Sequence, residues 1–206
     1  MDLIIESQPF PCVDYFKNAI HCTNIKIDIY ETFQKMSFRN RYMIYGANGI
    51  AALTIPIAGG REQKKLIKEV QIDFTEDWKT KHWRGIVSSY SKAPFFEYYR
   101  DEIEKLLFSK EKYLVDFNIK ILIKLFKVLN INTSVIYTDA FFPAYESELD
   151  LRSRILPKNY QKKGNSWKPV YPQVFQDRFG FQPNLSILDL LFNEGPNALS
   201  LLQPMD

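Results

Sequence analysis

The chain of 206 residues is 46% hydrophobic and 25% charged, close to the average of globular proteins, and is long enough to bury roughly 70% of the surface of the unfolded chain. We therefore expect one domain, residues 1–206, that folds without a metal or a disulfide. The formal net charge of +3 excludes the strongly basic class of nucleic-acid-binding domains, and no stretch approaches the roughly 18 consecutive apolar residues of a membrane-spanning helix.

The first part of the chain alternates between strand and helix patterns. Residues 25–33 alternate apolar and polar side chains, as a half-buried strand does. Asn48 and Gly49 supply the backbone angles that a tight turn needs, so they predict a hairpin. Strands are expected at residues 3–5, 25–33 and 66–74, a short helix at 13–20 and the hairpin at 41–57.

The second part of the chain is expected to be mainly helical. Thr75 predicts a helix N-cap, because Glu76 and Asp77 then place negative charge in the first turn. Asn184 predicts the cap of the last helix. Helices are expected at residues 76–91, 96–108, 113–129 and 185–193, and a strand at 133–141. The polar segment 143–172 is long for a loop, which is typical of functional lids or disordered segments.

This order of elements predicts an α/β fold with three layers: a mostly parallel sheet, an added antiparallel hairpin and a C-terminal helix. Such sheets bind ligands outside the carboxyl ends of their strands. Those ends are expected at Glu6-Ser7-Gln8, Tyr30-Glu31, Phe74-Thr75 and Thr138-Asp139. Asp139 is therefore a candidate acid of a ligand site, and a turn or helix cap is the alternative interpretation.

The chain carries no standard catalytic motif. It lacks a phosphate-loop sequence, Gly-x-Gly-x-x-Gly, Gly-x-Ser-x-Gly and His-Glu-x-x-His. It has two histidines and no Cys-x-x-Cys pair, so we expect no metal and no cofactor. Cys12 and Cys22 fit a reducing compartment, and the first residues lack the basic region of a signal peptide. The expected location is the cytoplasm.

The densest recognition cluster is Arg39-Asn40-Arg41. Guanidinium groups match phosphate or carboxylate oxygens two at a time, and an asparagine adds a donor and an acceptor. The cluster therefore predicts a clamp for a phosphorylated or otherwise anionic small molecule. The alternative is that strand alternation sends Arg39 and Arg41 to one surface, where they pair with acids.

The second candidate group is aromatic and centres on His82. Histidine has the pKa best suited to proton transfer near neutrality, and Trp78 lies four residues earlier, on the same helix face. His82 is thus a candidate general base, or else a structural histidine with Trp83 in the core. Tyr90 could stack on a sugar, although core packing is the alternative.

Several runs of the sequence together resemble the WbqC-like protein family. They are Ser37-Phe38-Arg39-Asn40-Arg41, Gly46-Ala47-Asn48-Gly49 with Leu53-Thr54-Ile55-Pro56-Ile57, Lys81-His82-Trp83-Arg84, and residues 89–99. The ending, residues 171–175 with 183–196, resembles the branch found in Bacteroidetes-type bacteria. Tyr15 matches the aromatic stretch near the family's N-terminus. Where many members have paired aspartates after the second strand, this chain has Ile29-Tyr30-Glu31.

The resemblance implies a role in biosynthesis of surface polysaccharides such as lipopolysaccharide O-antigen. It suggests an acyl, aminoacyl or glycosyl transferase that modifies an amino sugar or a nucleotide-sugar, with His82 as the catalytic residue. The ligand-binding set expected with it comprises Arg39, Asn40, Arg41, Tyr15, Trp83, Tyr90 and Asp139. This hypothesis requires residues 39–41 and His82 to line one solvent-accessible cavity. The alternative is a non-catalytic module that binds a nucleotide-sugar or an assembly partner.

Overall fold

The central element is a parallel sheet, seen in a computed structural model that describes residues 1–141, 143, 149–162 and 169–203. The strands are β1 (Asp2–Ile5), β2 (Asn24–Ile27), β3 (Arg41–Gly46), β4 (Gly49–Thr54), β5 (Ser134–Tyr137) and β6 (Leu149–Asp150). The sheet has four strands in the order β5-β2-β1-β6, and every neighbouring pair is parallel. The chain therefore moves from β1 outward to β2 and β5, then returns to the other side of β1.

Helices surround the sheet and supply most of the apolar core. They are α1 (Val13–Ala19), α2 (Trp78–Tyr90), α3 (Phe96–Leu107), α4 (Leu114–Val128), α5 (Gln176–Phe179), α6 (Ile187–Glu194) and α7 (Ala198–Leu202). In β1, Leu3, Ile4 and Ile5 are all fully buried. Both faces of this strand are covered, which explains its continuous apolar run. The predicted α/β fold is confirmed, with its mostly parallel sheet, separate hairpin and C-terminal helix.

The hairpin forms where the sequence predicts it. Strands β3 and β4 pair antiparallel from Arg41 opposite Thr54 to Gly46 opposite Gly49. Gly49 adopts a φ of 97°, which a residue with a side chain rarely reaches. The hairpin packs against α2, since the backbone N–H of Tyr45 donates to the hydroxyl of Tyr90 at 3.1 Å.

Three predicted strands differ from the structure, and the one predicted at 133–141 spans only Ser134–Tyr137. Residues 66–74 contain a short 3-10 helix, Ile67–Glu69, and isolated bridges to three separate segments, so their alternating apolar side chains serve loop packing. The strand predicted at 25–33 ends at Ile27. It ends there because the carboxylate of Asp28 accepts the backbone N–H of Tyr30 at 3.0 Å, which turns the chain.

The helix caps also differ. Asp77 caps α2 in place of Thr75, and Ser186 caps α6 in place of Asn184. Asn184 adopts a φ of 59° and accepts the backbone N–H of Asp14, in the first turn of α1, at 2.7 Å. Its amide therefore ties the α6 entrance to α1. No helix within the described ranges is long and apolar enough to cross a membrane.

The polar segment 143–172 is only partly described, since residues 144–148 and 163–168 lie outside the described ranges. Its described part contains β6, which pairs with β1 through Leu149 and Asp150. This short strand places the residues that follow it beside the ends of β1 and β2.

Candidate functional site

A polar cavity of about 510 Å³ opens at the carboxyl ends of the parallel strands. It lies beside β6, at the point where the strand order reverses around β1, which is where such sheets bind ligands. The residues that line it come from the segments after β2, β5 and β6: Glu31, Thr32, Gln34, Phe141, Pro143, Asp150, Arg152, Ser153 and Arg154.

One side of the cavity rests on a buried ion pair between Glu31 and Arg39. The guanidinium of Arg39 donates to both carboxylate oxygens of Glu31, at 2.7 and 2.5 Å. Burial raises the pKa of Glu31, although the hydrogen bonds and charge of Arg39 oppose that rise. Arg39 is itself fully buried, so the pair is fixed in place and presents only Glu31 to the cavity.

The opposite side of the cavity is held by a second arginine that forms ion pairs. Arg152 donates to Asp28 and to Asp150, each at 2.6 Å. Asp28 is fully buried and follows β2 directly. Burial opposes ionisation of Asp150, but the hydrogen bonds from Arg152 hold the pKa of this carboxyl below its usual value. Arg152 thereby joins the ends of β2 and β6.

Ser153 separates the cavity from a buried polar network. Its backbone N–H donates to the fully buried carboxylate of Glu6 at 2.8 Å. Its hydroxyl accepts from Arg39 at 3.4 Å and donates to the amide oxygen of Gln34 at 2.9 Å. Ser153 adopts a φ of 57°, a strained conformation that non-glycine residues keep mainly where the surroundings enforce it.

The network beneath Ser153 holds polar atoms that have no hydrogen-bond partner among the described residues: Nη1 of Arg39, Oε1 of Gln8 and Oδ1 of Asn118. The amide of Gln8 donates to Glu6 at 3.1 Å, and that of Asn118 donates to the backbone oxygen of Arg39 at 2.9 Å. Unmatched buried polar atoms are uncommon in folded proteins and are often completed by water or ligand.

The cavity wall offers three kinds of contact. Arg154 is exposed, and its side chain forms no hydrogen bond or ion pair with any described residue, so it can bind an anion. Glu31 and Asp150 can accept hydrogen bonds from hydroxyl or amino groups. The ring of Phe141 is 55% exposed and offers an apolar surface. No cluster of potential metal ligands occurs among the described residues.

The three residues of the predicted anion clamp lie in different surroundings in the structure. Arg39 lies in a 3-10 helix, Phe38–Asn40, and its guanidinium is already paired with the carboxylate of Glu31. The side chain of Asn40 donates to the backbone oxygen of Ile55 at 2.9 Å, which holds the hairpin. Arg41 is half-buried beside Gln8 in a separate narrow crevice. The three residues therefore do not share one anion site.

His82 lies inside the protein, 4% exposed, between α2 and the hairpin. The hydroxyl of Tyr42 lies 3.1 Å from Nδ1, and the backbone oxygen of Thr54 lies 3.2 Å from Nε2. The second contact requires a proton on Nε2, so Nδ1 accepts from the tyrosine. Burial lowers the pKa of His82 to about 4. The expectation that His82 and Arg39 both line a solvent-accessible cavity is wrong, because both side chains are buried.

The remaining candidates lie apart from this cavity. Tyr15 and Tyr90 are fully buried, and the ring of Tyr90 packs 5.3 Å from that of Phe192. Trp83 stacks on Phe96 with ring centres 6.3 Å apart. These contacts describe core packing, the alternative for Tyr90 and Trp83. Asp139 is exposed just beyond β5. A functional role for any of them stays a prediction.

Sequence reasoning missed four residues of the cavity and its supports: Asp28, Asp150, Arg152 and Arg154. Asp28 lies within the alternating pattern of residues 25–33, so the sequence placed it inside a strand and not at a carboxyl end. The other three belong to or follow a strand of two residues inside a polar segment. Such a strand has no detectable periodicity.

One protein family matches nearly the whole chain. A model of the WbqC-like protein family matches residues 7–163 and 157–201. The chain belongs to the WbqC-like protein family. This WbqC-like chain is 26% identical over 224 residues to the uncharacterized protein Rv1507c of Mycobacterium tuberculosis, covering 97% of this chain and 96% of that protein. No solved structure matches the chain.

Proposed function

We propose that this WbqC-like protein is a group transferase of surface-polysaccharide biosynthesis, of the O-antigen type, acting on an amino sugar or a nucleotide-sugar in the cytoplasm. The observation that carries the proposal is the polar cavity at the carboxyl ends of β2 and β6, about 510 Å³ in volume. Small-molecule sites typically span 300–1,000 Å³, so the cavity has the size of a sugar with its phosphate. The unpaired, buried cysteines support the cytoplasmic location.

Arg154 is the residue best suited to the phosphate of such a ligand. It lines the cavity, it is exposed, and no described carboxylate pairs with it directly. Arg39 and Arg152 are already neutralised by Glu31 and by Asp28 with Asp150. A phosphate would therefore gain most from the guanidinium of Arg154, which can donate two parallel hydrogen bonds.

The balance of charge around the cavity favours an amino or hydroxyl group at its inner end. In the cavity wall and the buried network beneath it, the carboxylates are Glu6, Asp28, Glu31 and Asp150, and the arginines are Arg39, Arg152 and Arg154. Carboxylates thus exceed guanidiniums, although Arg154 supplies positive charge at the rim. A sugar that carries a phosphate at one end and an amine at the other matches this arrangement.

Glu31 is the proposed proton acceptor. In acyl transfer, the acceptor nitrogen forms a bond to the donor's carbonyl carbon, the bond to the donor's leaving group breaks, and the acceptor loses a proton. Glu31 faces the cavity, and burial raises the pKa of its carboxyl toward the range useful for proton transfer. Each of its oxygens bonded to Arg39 retains a second lone pair for this step.

A second candidate function is a non-catalytic module that binds a nucleotide-sugar. The observation that favours it is that Glu31 and Asp150, the carboxylates lining the cavity, are both held by arginines. His82, the expected base, has both nitrogens engaged. A site whose ionisable groups are paired in this way is well built for holding a ligand without turnover.

The first test measures the melting temperature of the protein with a panel of nucleotide-amino sugars and with the matching free nucleotides. A ligand at one hundred times its Kd stabilises the folded state by about 2.7 kcal/mol, so the melting temperature should rise. Arg154→Ala should weaken binding by about tenfold, since a hydrogen bond to a charged group is lost. The control is Arg84→Ala, which removes an exposed arginine of α2 that does not line the cavity.

The same mixtures, supplied with activated acyl or aminoacyl donors, are then followed by mass spectrometry. A mass increase of the sugar identifies the transferase. Binding without a mass change across the donors favours the non-catalytic module. If Arg154→Ala binds as tightly as Arg84→Ala, the assignment of the phosphate to this cavity is wrong.

A further inference from the structure

Among the described residues, the outer edge of the parallel sheet pairs with no further strand, and it has the pattern of a self-pairing strand. β5 is the terminal strand of the order β5-β2-β1-β6, and Ile136 and Tyr137 are 38% and 50% exposed. The backbone N–H of Ser134 donates to Thr23, just before β2, and that of Thr138 donates to Ile27, the last residue of β2, each at 3.1 Å. Because backbone groups alternate sides along a strand, those of Val135 and Tyr137 point away from the sheet.

The helix beside this edge carries a stripe of opposite charges. Asp116, Ile119, Lys120, Ile123 and Lys127 follow one another at helical spacing along α4. All of them, with Leu106 of α3 and Tyr137 of β5, line a groove of about 450 Å³. Asp116 lies at the N-terminal end of the stripe, and Lys127 lies at its C-terminal end.

Two charges of the stripe lack an ion-pair partner. Lys120 pairs with Glu111 and Lys124 pairs with Glu102. Asp116 and Lys127, both exposed, form no hydrogen bond or ion pair with the described part of the chain. They lie eleven residues apart in α4, about 16 Å along its axis.

We propose that a second copy of this chain covers this face, in a two-fold dimer whose axis passes through Ile136. In an antiparallel pairing centred there, Val135 exchanges both backbone hydrogen bonds with Tyr137 of the second copy, and the reciprocal pair does the same. The axis also reverses α4. Asp116 of each copy then faces Lys127 of the other, and Ile123 of each copy lies near the middle of the contact.

A two-fold interface requires one surface that complements itself. On this face, the backbone groups of β5 and the charges of α4 each complement themselves after a two-fold rotation. The inference does not depend on the proposed transferase function, because the residues of β5 and α4 do not line the cavity beside β6. An extended peptide from another protein, added to β5, is the competing occupant.

The register is tested by a disulfide at the axis. Residues at position 136 of the two copies would form a non-hydrogen-bonded pair with Cα atoms about 4.5 Å apart, which permits a disulfide. Ile136→Cys should therefore oxidise to a covalent dimer. Ser134→Cys is the matched control, because its two copies would lie about 14 Å apart, too far for a bond.

The charges are tested by reversal, with association measured by sedimentation. Asp116→Lys and Lys127→Asp should each weaken the dimer by about tenfold or more, since each places like charges opposite one another twice. The double variant should restore the dimer. Lys92→Asp, an exposed charge reversal away from the face, should leave association unchanged.

Three results would overturn the proposal. The unchanged protein could sediment as a monomer at concentrations far above the micromolar range, which would leave β5 open for a peptide. Ser134→Cys could cross-link as readily as Ile136→Cys, which would refute the register. The single charge reversals could leave the dimer intact, which would place the interface on another face.

Discussion

At the scale of single residues, contact with the cavity separates candidate functional ionisable groups from structural ones. His82 and Asp189 are both buried, at 4% and 0% exposure, and their pKa values move in opposite directions. Arg154 and Glu31 line the cavity. The first two therefore report on folding, and the second two are the residues at which ligand effects are expected.

His82 should make the fold sensitive to acid. Burial lowers its pKa from 6.5 to about 4, so the folded state binds the proton less tightly than the unfolded chain. The stability that neutral His82 contributes to the fold is fully present above pH 6.5 and is lost as the pH falls toward 4. The loss in the free energy of unfolding is at most about 3 kcal/mol. Because Asp189 acts in the opposite direction over nearly the same range, the test is the difference in the free energy of unfolding between His82→Gln and the unchanged protein, which should change by this amount between those pH values. Any activity should survive the change, and its loss without loss of stability would return His82 to the mechanism.

Asp189 should change the stability of the fold with pH in the opposite direction to His82. Burial raises its pKa from 3.8 to about 6, although hydrogen bonds from Tyr171 and Gln173 oppose the shift. The folded state then binds the proton more tightly, so stability falls as the pH rises from 3.8 to about 6, by at most about 3 kcal/mol. Asp189→Asn should remove this slope and leave stability declining toward acid. A variant whose pH profile matches that of the unchanged protein would show that Asp189 does not titrate in this range.

At the scale of elements, the end of α6 depends on a glycine. Gly195 terminates the helix with a φ of 53°, and a Cβ there would lie 2.5 Å from the ring of Phe95. Gly195→Ala therefore combines backbone strain with a clash and should destabilise the protein by about 2–4 kcal/mol. The measurement is the free energy of unfolding.

Gly60→Ala is the matched control for that change. Gly60 also has a positive φ, 74°, but a Cβ there would meet no atom within 4 Å. This variant carries only the backbone cost, about 1 kcal/mol. Equal losses at the two positions would mean that the ring of Phe95 moves aside freely.

Element types were predictable wherever the apolar pattern was long or the turn chemistry specific. The spacing of Leu114, Phe117, Ile121 and Leu125 predicts α4, and all four are fully buried. Residues 66–74 carry a strand-like pattern, yet they form isolated bridges. Alternation along the sequence cannot distinguish a strand in a sheet from an extended segment that contacts several loops.

The candidate site was predictable only in part, because its residues depend on contacts distant in sequence. The carboxyl-end rule selects Glu31, which lines the cavity, and Glu6, which lies beneath Ser153, but it also selects Phe74-Thr75, which ends no strand. Arg152 pairs with Asp28 across 124 positions, and no local pattern signals that contact. Arg39 looked available for a ligand, but Glu31 neutralises it. Burial and pairing, which decide whether a charged residue is free, emerge only in the folded chain.

At the scale of the whole molecule, the two edges of the sheet carry different features. The β6 edge carries the cavity, with Arg152 and Ser153 joining the ends of three strands. The β5 edge carries the self-complementary face proposed for dimerisation. Pairing through β5 would leave both cavities open at the outer ends of a continuous sheet of two copies.

We propose that ligand binds at the carboxyl ends of β2 and β6, and a crystal structure with a bound nucleotide-amino sugar is the most direct test. We expect the phosphate within hydrogen-bond distance of Arg154 and the amino group beside Glu31. A ligand seated elsewhere, such as the crevice lined by Arg41 or a pocket opened beside His82, would contradict it.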